Sequence, residues 1–293
     1  MTESARTSDG KADFNQIYDH ADPRAYFRTL RGLEYEIPQR AIPVFRALLT
    51  ALRSRRRMAE QEPVRVLDLC CSYGINAALL RCDVSLDELY DRYISPALDD
   101  LSPNDLFGAD EEYYAERRRS EAVTVSGLDL AKNAIAYARR VGLLEGGWAE
   151  NLEVDEPSEQ LTDDLDEVDL VTTTGGVGYI TERTFDRVLG ARSGGPMPWV
   201  AAFVLRTYSY DEIAETLGRH GLVTEQLSGV TFPQRLFDSA AEREAALRQV
   251  RGRGLDPSGR EDAGRYHADF FLSRPSAEAQ PPLPQLLEGV LPG

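Results

Sequence analysis

The feature that most constrains this chain is an alternation of short β-rich runs with helical stretches between residues 64 and 205. Val64-Arg65-Val66-Leu67-Asp68-Leu69 is the first such run; a turn follows over 70–74, and a helical stretch opens at Ile75. A second strand, Val123 to Leu128, ends at Asp129. The helix after it carries Ala131, Ala134, Ile135 and Ala138 on one apolar stripe, spaced i, i+3, i+4, i+7. A weak third strand is expected around Leu152-Glu153-Val154, a fourth over Val168 to Thr172, and a helix from Thr181 to Gly190. Trp199 to Leu205 is apolar through its length, as a buried central strand should be. Such alternation predicts a mostly parallel sheet covered by helices on both faces. Two late runs, Leu222 to Leu227 and Tyr266 to Leu272, follow with little helix between them and predict an antiparallel edge.

The flanks divide the chain into a helical cap over residues 1–60, a sheet domain over 61–274 and a proline-rich tail over 275–293, expected to be loose. Within the cap, Asp22 and Pro23 read as the start of a helix. Ile42, Phe45, Leu48, Leu49 and Leu52 recur at helical spacing and predict a second helix on the core. Residues 83–119 form a helical insertion too long for an ordinary helix-to-strand connection, with a capping box at Ser85-Leu86-Asp87-Glu88 and breaks at Pro96 and Pro103. An insertion of that size is expected to shape a substrate pocket, or to serve as an oligomer contact, and a homodimer stays open.

Charge removes one class of partner. A formal net charge of −16 over 293 residues argues against a nucleic-acid substrate, since phosphate binding needs a basic face. The arginines at 53, 55, 56, 57 and 117–119 read as solvated helix ends, where cations suit the macrodipole. No apolar run approaches the ~20 residues of a membrane span, and polar Met1 to Asp13 lacks the apolar core of a secretory signal, so a cytoplasmic protein with a frayed start and no membrane partner is expected. Cys70, Cys71 and Cys82 have neither zinc nor iron–sulfur spacing, and no metal is expected.

Open α/β sheets bind ligands outside the carboxyl ends of their strands, where strand order reverses. After Asp68, the turn places Cys70, Ser72 and Gly74 at every second position; these small residues let the backbone approach a ligand. The helix opening at Ile75 aims its first amides at the same place.

In these residues the chain resembles the class I S-adenosylmethionine (SAM)-dependent methyltransferases, small-molecule type. Val66-Leu67-Asp68 and Gly74 match that family's first motif, while Cys70 and Ser72 stand where it has glycines. Gly127-Leu128-Asp129-Leu130-Ala131 resembles its second motif, which implies that Asp129 accepts both ribose hydroxyls of SAM, with Leu130 beside it. The resemblance further implies Asp155, with Asn151 as the alternative, at the adenine amino group, and Thr173 and Thr174 of the fourth motif along the methionine half. It covers roughly residues 14–180 and is diffuse beyond Leu205. The fold it implies is a Rossmann-like α/β architecture: a seven-stranded, mostly parallel sheet with helices on both faces, an N-terminal helical cap and a helical insertion after the first helix. The small-molecule members carry aromatics in such a cap, which puts Tyr18 and Tyr26 beside the sulfonium, where a ring quadrupole attracts a cation.

The implied activity is methyl transfer to a small-molecule acceptor, at oxygen or nitrogen rather than carbon, with S-adenosylhomocysteine as product. A role in secondary metabolism is suggested by the cap and the Arg- and Ala-rich composition. Such transfer requires alignment of the reactants and, for a hydroxyl or protonated amine, removal of a proton. His20, in the cap, is the candidate base and Tyr179 the second. The competing reading is a SAM-binding protein that does not methylate, either a regulator or a SAM-assisted cyclisation catalyst. A nicotinamide dehydrogenase would need a phosphate-gripping loop that residues 70–74 do not supply.

Overall fold

The computed structural model describes residues 17–290; the start expected to be frayed, Met1 to Asp13, and the last three residues of the tail lie outside them. Among the described residues eight strands form one sheet: β1 (Val64–Leu69), β2 (Val123–Leu128), β3 (Gly147–Trp148), β4 (Leu170–Thr174), β5 (Trp199–Leu205), β6 (Leu222–Gln226), β7 (Phe232–Leu236) and β8 (Arg265–Pro275). Their order is β3-β2-β1-β4-β5-β8-β6, with β7 also paired to β8. Strands β1 to β5 are parallel, and β8 returns antiparallel to β5. On its far edge β8 holds β6 against residues 271–275 and β7 against residues 265–268. The seven expected positions are present, and the last is shared by two strands.

Eleven helices accompany the sheet among the described residues: α1 (Arg24–Gly32), α2 (Ile37–Arg56), α3 (Ile75–Arg81), α4 (Leu86–Ile94), α5 (Pro103–Glu116), α6 (Lys132–Arg140), α7 (Glu159–Leu165), α8 (Glu182–Gly190), α9 (Asp211–Arg219), α10 (Ala240–Gly252) and α11 (Leu283–Leu286). The pleat of β5 sorts them into two layers. Trp199, Ala201 and Phe203 face the core made with α1 to α4 and α6, whereas Val200, Ala202 and Val204 face α7, α8 and α9. This is a doubly wound, Rossmann-like fold. None of the described helices is long and apolar enough to cross a membrane.

Three expectations change. The third strand lies at Gly147–Trp148, paired in register with Gly127 and Leu128. Leu152 to Val154 is a turn in which the Val154 N–H donates to the Asn151 carbonyl at 3.1 Å. A two-residue strand containing glycine has almost no propensity signal, so its neighbour decides it. Strand β7 was not expected, because Pro233 and two polar residues interrupt its pattern; an edge position tolerates the proline. The tail is docked rather than loose. Leu283 and Leu287 are buried in the larger core, and Glu278 accepts from Trp199 Nε1 at 2.5 Å and from Arg56. The Arg56 guanidinium, nine-tenths buried, needs those carboxylates of Glu278 and Asp169.

The insertion braces the cap. Its capping box forms as expected: the Ser85 N–H donates to Glu88 and the Glu88 N–H to Ser85 Oγ. Phe27 of α1 stacks on Tyr93 of α4 at 4.4 Å. Arg24 donates to the carbonyls of Leu98 and Leu101. Behind this contact, buried Asp110 accepts from Arg92, Tyr93 and Tyr137 at 2.7, 3.0 and 2.8 Å, so the polar groups of this layer are satisfied.

Candidate functional site

Strand order reverses between β1 and β4, and a cavity of about 430 Å³ opens there at the carboxyl ends of β1, β2 and β4. The turn after β1 forms its floor. Cys70, Ser72 and Gly74 have φ of 58°, 49° and 76°, so all three alternate positions are left-handed although only one is glycine. A side chain in that region costs on the order of 1–2 kcal/mol. The surroundings hold it there: the Cys70 N–H donates to the Leu128 carbonyl at 2.8 Å, and the Ser72 N–H to Asp129 Oδ2 at 2.8 Å. The substitutions that depart from the glycine motif therefore leave a backbone path glycines would also take.

Below the turn the sheet is tight. A Cβ on Gly127 would lie 2.5 Å from Cys71 Sγ and 2.8 Å from Leu144 Cδ1. Gly127→Val is expected to cost about 3 kcal/mol by overpacking, read as a lowered midpoint in urea; an unchanged midpoint would show that the turn can retreat.

Asp129 follows β2 and lines the cavity. Its second oxygen accepts from the Ala131 N–H at 2.9 Å, so backbone amides fix the carboxylate. Burial raises its pKa, and the amides of Ala131 and Ser72 oppose that shift. Leu130 beside it is 62% exposed, presenting an apolar side chain at the cavity with little protein over it.

Asp68 lies beneath the site and is not part of the lining. It accepts from Thr172 Oγ1 at 2.8 Å and from Asn76 Nδ2 at 3.0 Å, and Asn76, which does line the cavity, also donates to Thr174 Oγ1. Burial pushes the Asp68 carboxyl up to about 7 against those hydrogen bonds. Asn76 Oδ1 and Ser72 Oγ, both buried, have no partner among the described residues. Thr174 lines the cavity, whereas Thr173 is buried behind it against Gly176.

Asp155 is exposed and outside the lining; Asn151 and Glu153 line that side instead. The displacement of β3 accounts for this, since the loop after the true strand begins earlier. Glu153 is engaged by Thr181 and Thr184. Tyr18 and Tyr26 both line the cavity, their rings 5.7 Å apart, and Tyr35 joins them with its ring 6.5 Å from that of Tyr26. The exposed His20 contributes only its carbonyl, which accepts from Tyr73 OH at 3.0 Å, and its ring is not in the lining. Tyr179 stands in the lining, 44% exposed.

No residue of 83–119 reaches the cavity; the insertion acts through α1. The wall expected from it comes instead from β7, as Gln234 and Arg235. Arg235 is held by Glu242 in a two-pronged pair at 2.6 and 3.0 Å and lies over the Tyr266 ring. Nothing in the sequence pattern marked these residues beyond two polar side chains in a run that folds back only through β8.

The fold and site define a Rossmann-like protein with a ligand cavity at its switch point, closed by an aromatic cap. Its structure is similar to a TehB-like SAM-dependent methyltransferase from Corynebacterium glutamicum (17% identity, 75% of this chain and 85% of that one, TM-score 0.36). It is also similar to magnesium protoporphyrin IX methyltransferase from Synechocystis with bound SAM (9%, 80% and 82%, 0.37) and to the plantazolicin methyltransferase BamL (12%, 84% and 88%, 0.39). No family model and no curated protein matches the chain. Likeness at this level carries no argument about activity, which has to rest on the site.

Proposed function

We propose that the protein is a SAM-dependent methyltransferase acting on a small molecule, at oxygen or nitrogen. The observation that carries this reading is the pairing of Asp129 with the left-handed turn at 70, 72 and 74. One carboxylate, anchored by two amides, stands at the end of β2 where a ribose diol needs acceptors. The turn lets the backbone approach the same ligand, and Asn76 Oδ1, without a partner among the described residues, offers a buried acceptor for an ammonium. When bound, SAM supplies a methyl group activated by a positively charged sulfur. The chain's own part is to hold the cofactor through Asp129, Leu130 and Asn151, and to keep water out with Tyr18, Tyr26 and Tyr35.

The test is a calorimetric titration with SAM, S-adenosylhomocysteine and NAD, followed by acceptor screening for S-adenosylhomocysteine release. Micromolar binding of the two adenosyl compounds and none of NAD is expected. Preference for NAD would overturn the reading. SAM binding without turnover on any acceptor would favour a non-methylating protein on the same site.

A further inference from the structure

The wall of the cavity that the cap and β7 build makes no hydrogen bond to the cofactor under the reading above, and its chemistry is specific. It is built from Tyr18, Tyr26, Tyr35, Leu30, Gln234 and Arg235. Burial holds the hydroxyls of the three tyrosines well above the usual phenol range, so each is a neutral ring at physiological pH. The one cation is compensated, since Arg235 is paired in two-pronged fashion with buried Glu242. No imidazole lies in the lining: His220 is bonded to Asp186 and His267 to Thr231. What the wall adds is an amide. Gln234 is 5% exposed and lines the cavity, and its Oε1 has no partner among the described residues. A buried amide oxygen left unsatisfied costs on the order of 1–3 kcal/mol, which a donor from a ligand would recover. The last torsion of a glutamine is broad, so the oxygen can turn to meet one.

Resting on the methyltransferase reading, we propose that the acceptor is an uncharged planar aromatic molecule, held among the three tyrosine rings, whose O–H or N–H donates to Gln234 Oε1. Edge-to-face packing suits a flat ring: Tyr26 already meets its tyrosine neighbours at interplanar angles of 64° and 86°. A carboxylate- or phosphate-bearing acceptor would meet a guanidinium whose charge Glu242 has already answered.

The probe is 4-nitrophenol, whose phenol and phenolate absorb at different wavelengths, titrated into the protein saturated with S-adenosylhomocysteine and into the protein alone. Bound 4-nitrophenol is expected to stay protonated to higher pH than the free probe. Gln234→Met should weaken its binding at least tenfold and abolish that shift. The affinity of this variant for S-adenosylhomocysteine, measured separately, reports that it is folded. Preferential binding of the phenolate, no binding at all, or an unaffected Gln234→Met would each overturn the proposal. Should S-adenosylhomocysteine fail to bind while the protein alone still selects the phenol through Gln234, the cofactor reading fails and the aromatic subsite stands.

Discussion

Asp129→Ala is expected to weaken SAM binding at least a hundredfold. Its carboxylate is the charged acceptor at the end of β2, and hydrogen bonds to a charged group contribute about 1.5–3 kcal/mol each. Two ribose hydroxyls would therefore lose about 3–6 kcal/mol, which exceeds two decades of affinity. A further loss comes from the turn, because the same carboxylate accepts from the Ser72 N–H at 2.8 Å and holds Ser72 at φ 49°. Without it a serine has little reason to remain left-handed. Calorimetry on the variant, with a thermal melt to confirm folding, separates lost affinity from lost structure. Binding within threefold of the parent protein would remove Asp129 from the site and with it the main support for the cofactor.

The second large effect concerns stability against pH. Asp68 is buried beneath the turn, and its carboxyl is pushed up from 3.8 to about 7. The folded state thus holds this proton more tightly than the unfolded state does. The contribution of Asp68 to stability is fully present below pH 4 and is lost as pH rises through about 7. At about 1.4 kcal/mol per pH unit, the loss between pH 5 and 7 is on the order of 3 kcal/mol. Asp68→Asn keeps an acceptor for Thr172 and Asn76 but has no proton to release. Urea melts of the two proteins without ligand at pH 5 and pH 8 should show the parent losing about 3 kcal/mol more than the variant. Equal losses would mean that Asp68 ionises at an ordinary pH, so that the network around it satisfies the charge.

Both residues were legible in the sequence, for a shared reason. Each ends a strand whose apolar run is strong, and a strand end followed by a turn of small residues is a local pattern. Cys70, Ser72, Gly74 and Leu130 lie within six residues of those strand ends and were legible from the same pattern, although the left-handed path of the turn is held by the Leu128 carbonyl and by Asp129, and Gly74 itself stays outside the lining. Legibility falls where placement depends on a partner. Of the two residues the resemblance implies at the adenine amino group, Asn151 lines the cavity, beside Glu153, and Asp155 does not, because β3 is only two residues long and is defined by pairing with β2. His20 carries suitable chemistry at a suitable chain position, yet the path of the segment at Tyr73 turns its ring away from the lining.

The sequence by itself determined the alternating core, the switch-point turn with Asp68 and Asp129, and the tyrosines of the cap. These follow from short-range periodicity and from side-chain chemistry at strand ends. Only the tertiary structure decided that the insertion braces α1 rather than entering the cavity, that the tail docks through Glu278, and that Gln234 and Arg235 close the far wall. The last two depend on β8, which leads into the tail and brings β7 back across more than 160 residues to the turn after β1, whereas the insertion meets α1 directly through Tyr93 and the carbonyl of Leu98. Contacts between segments so far apart are set by packing and by the partners that buried charges require, neither of which leaves a periodic trace in the chain.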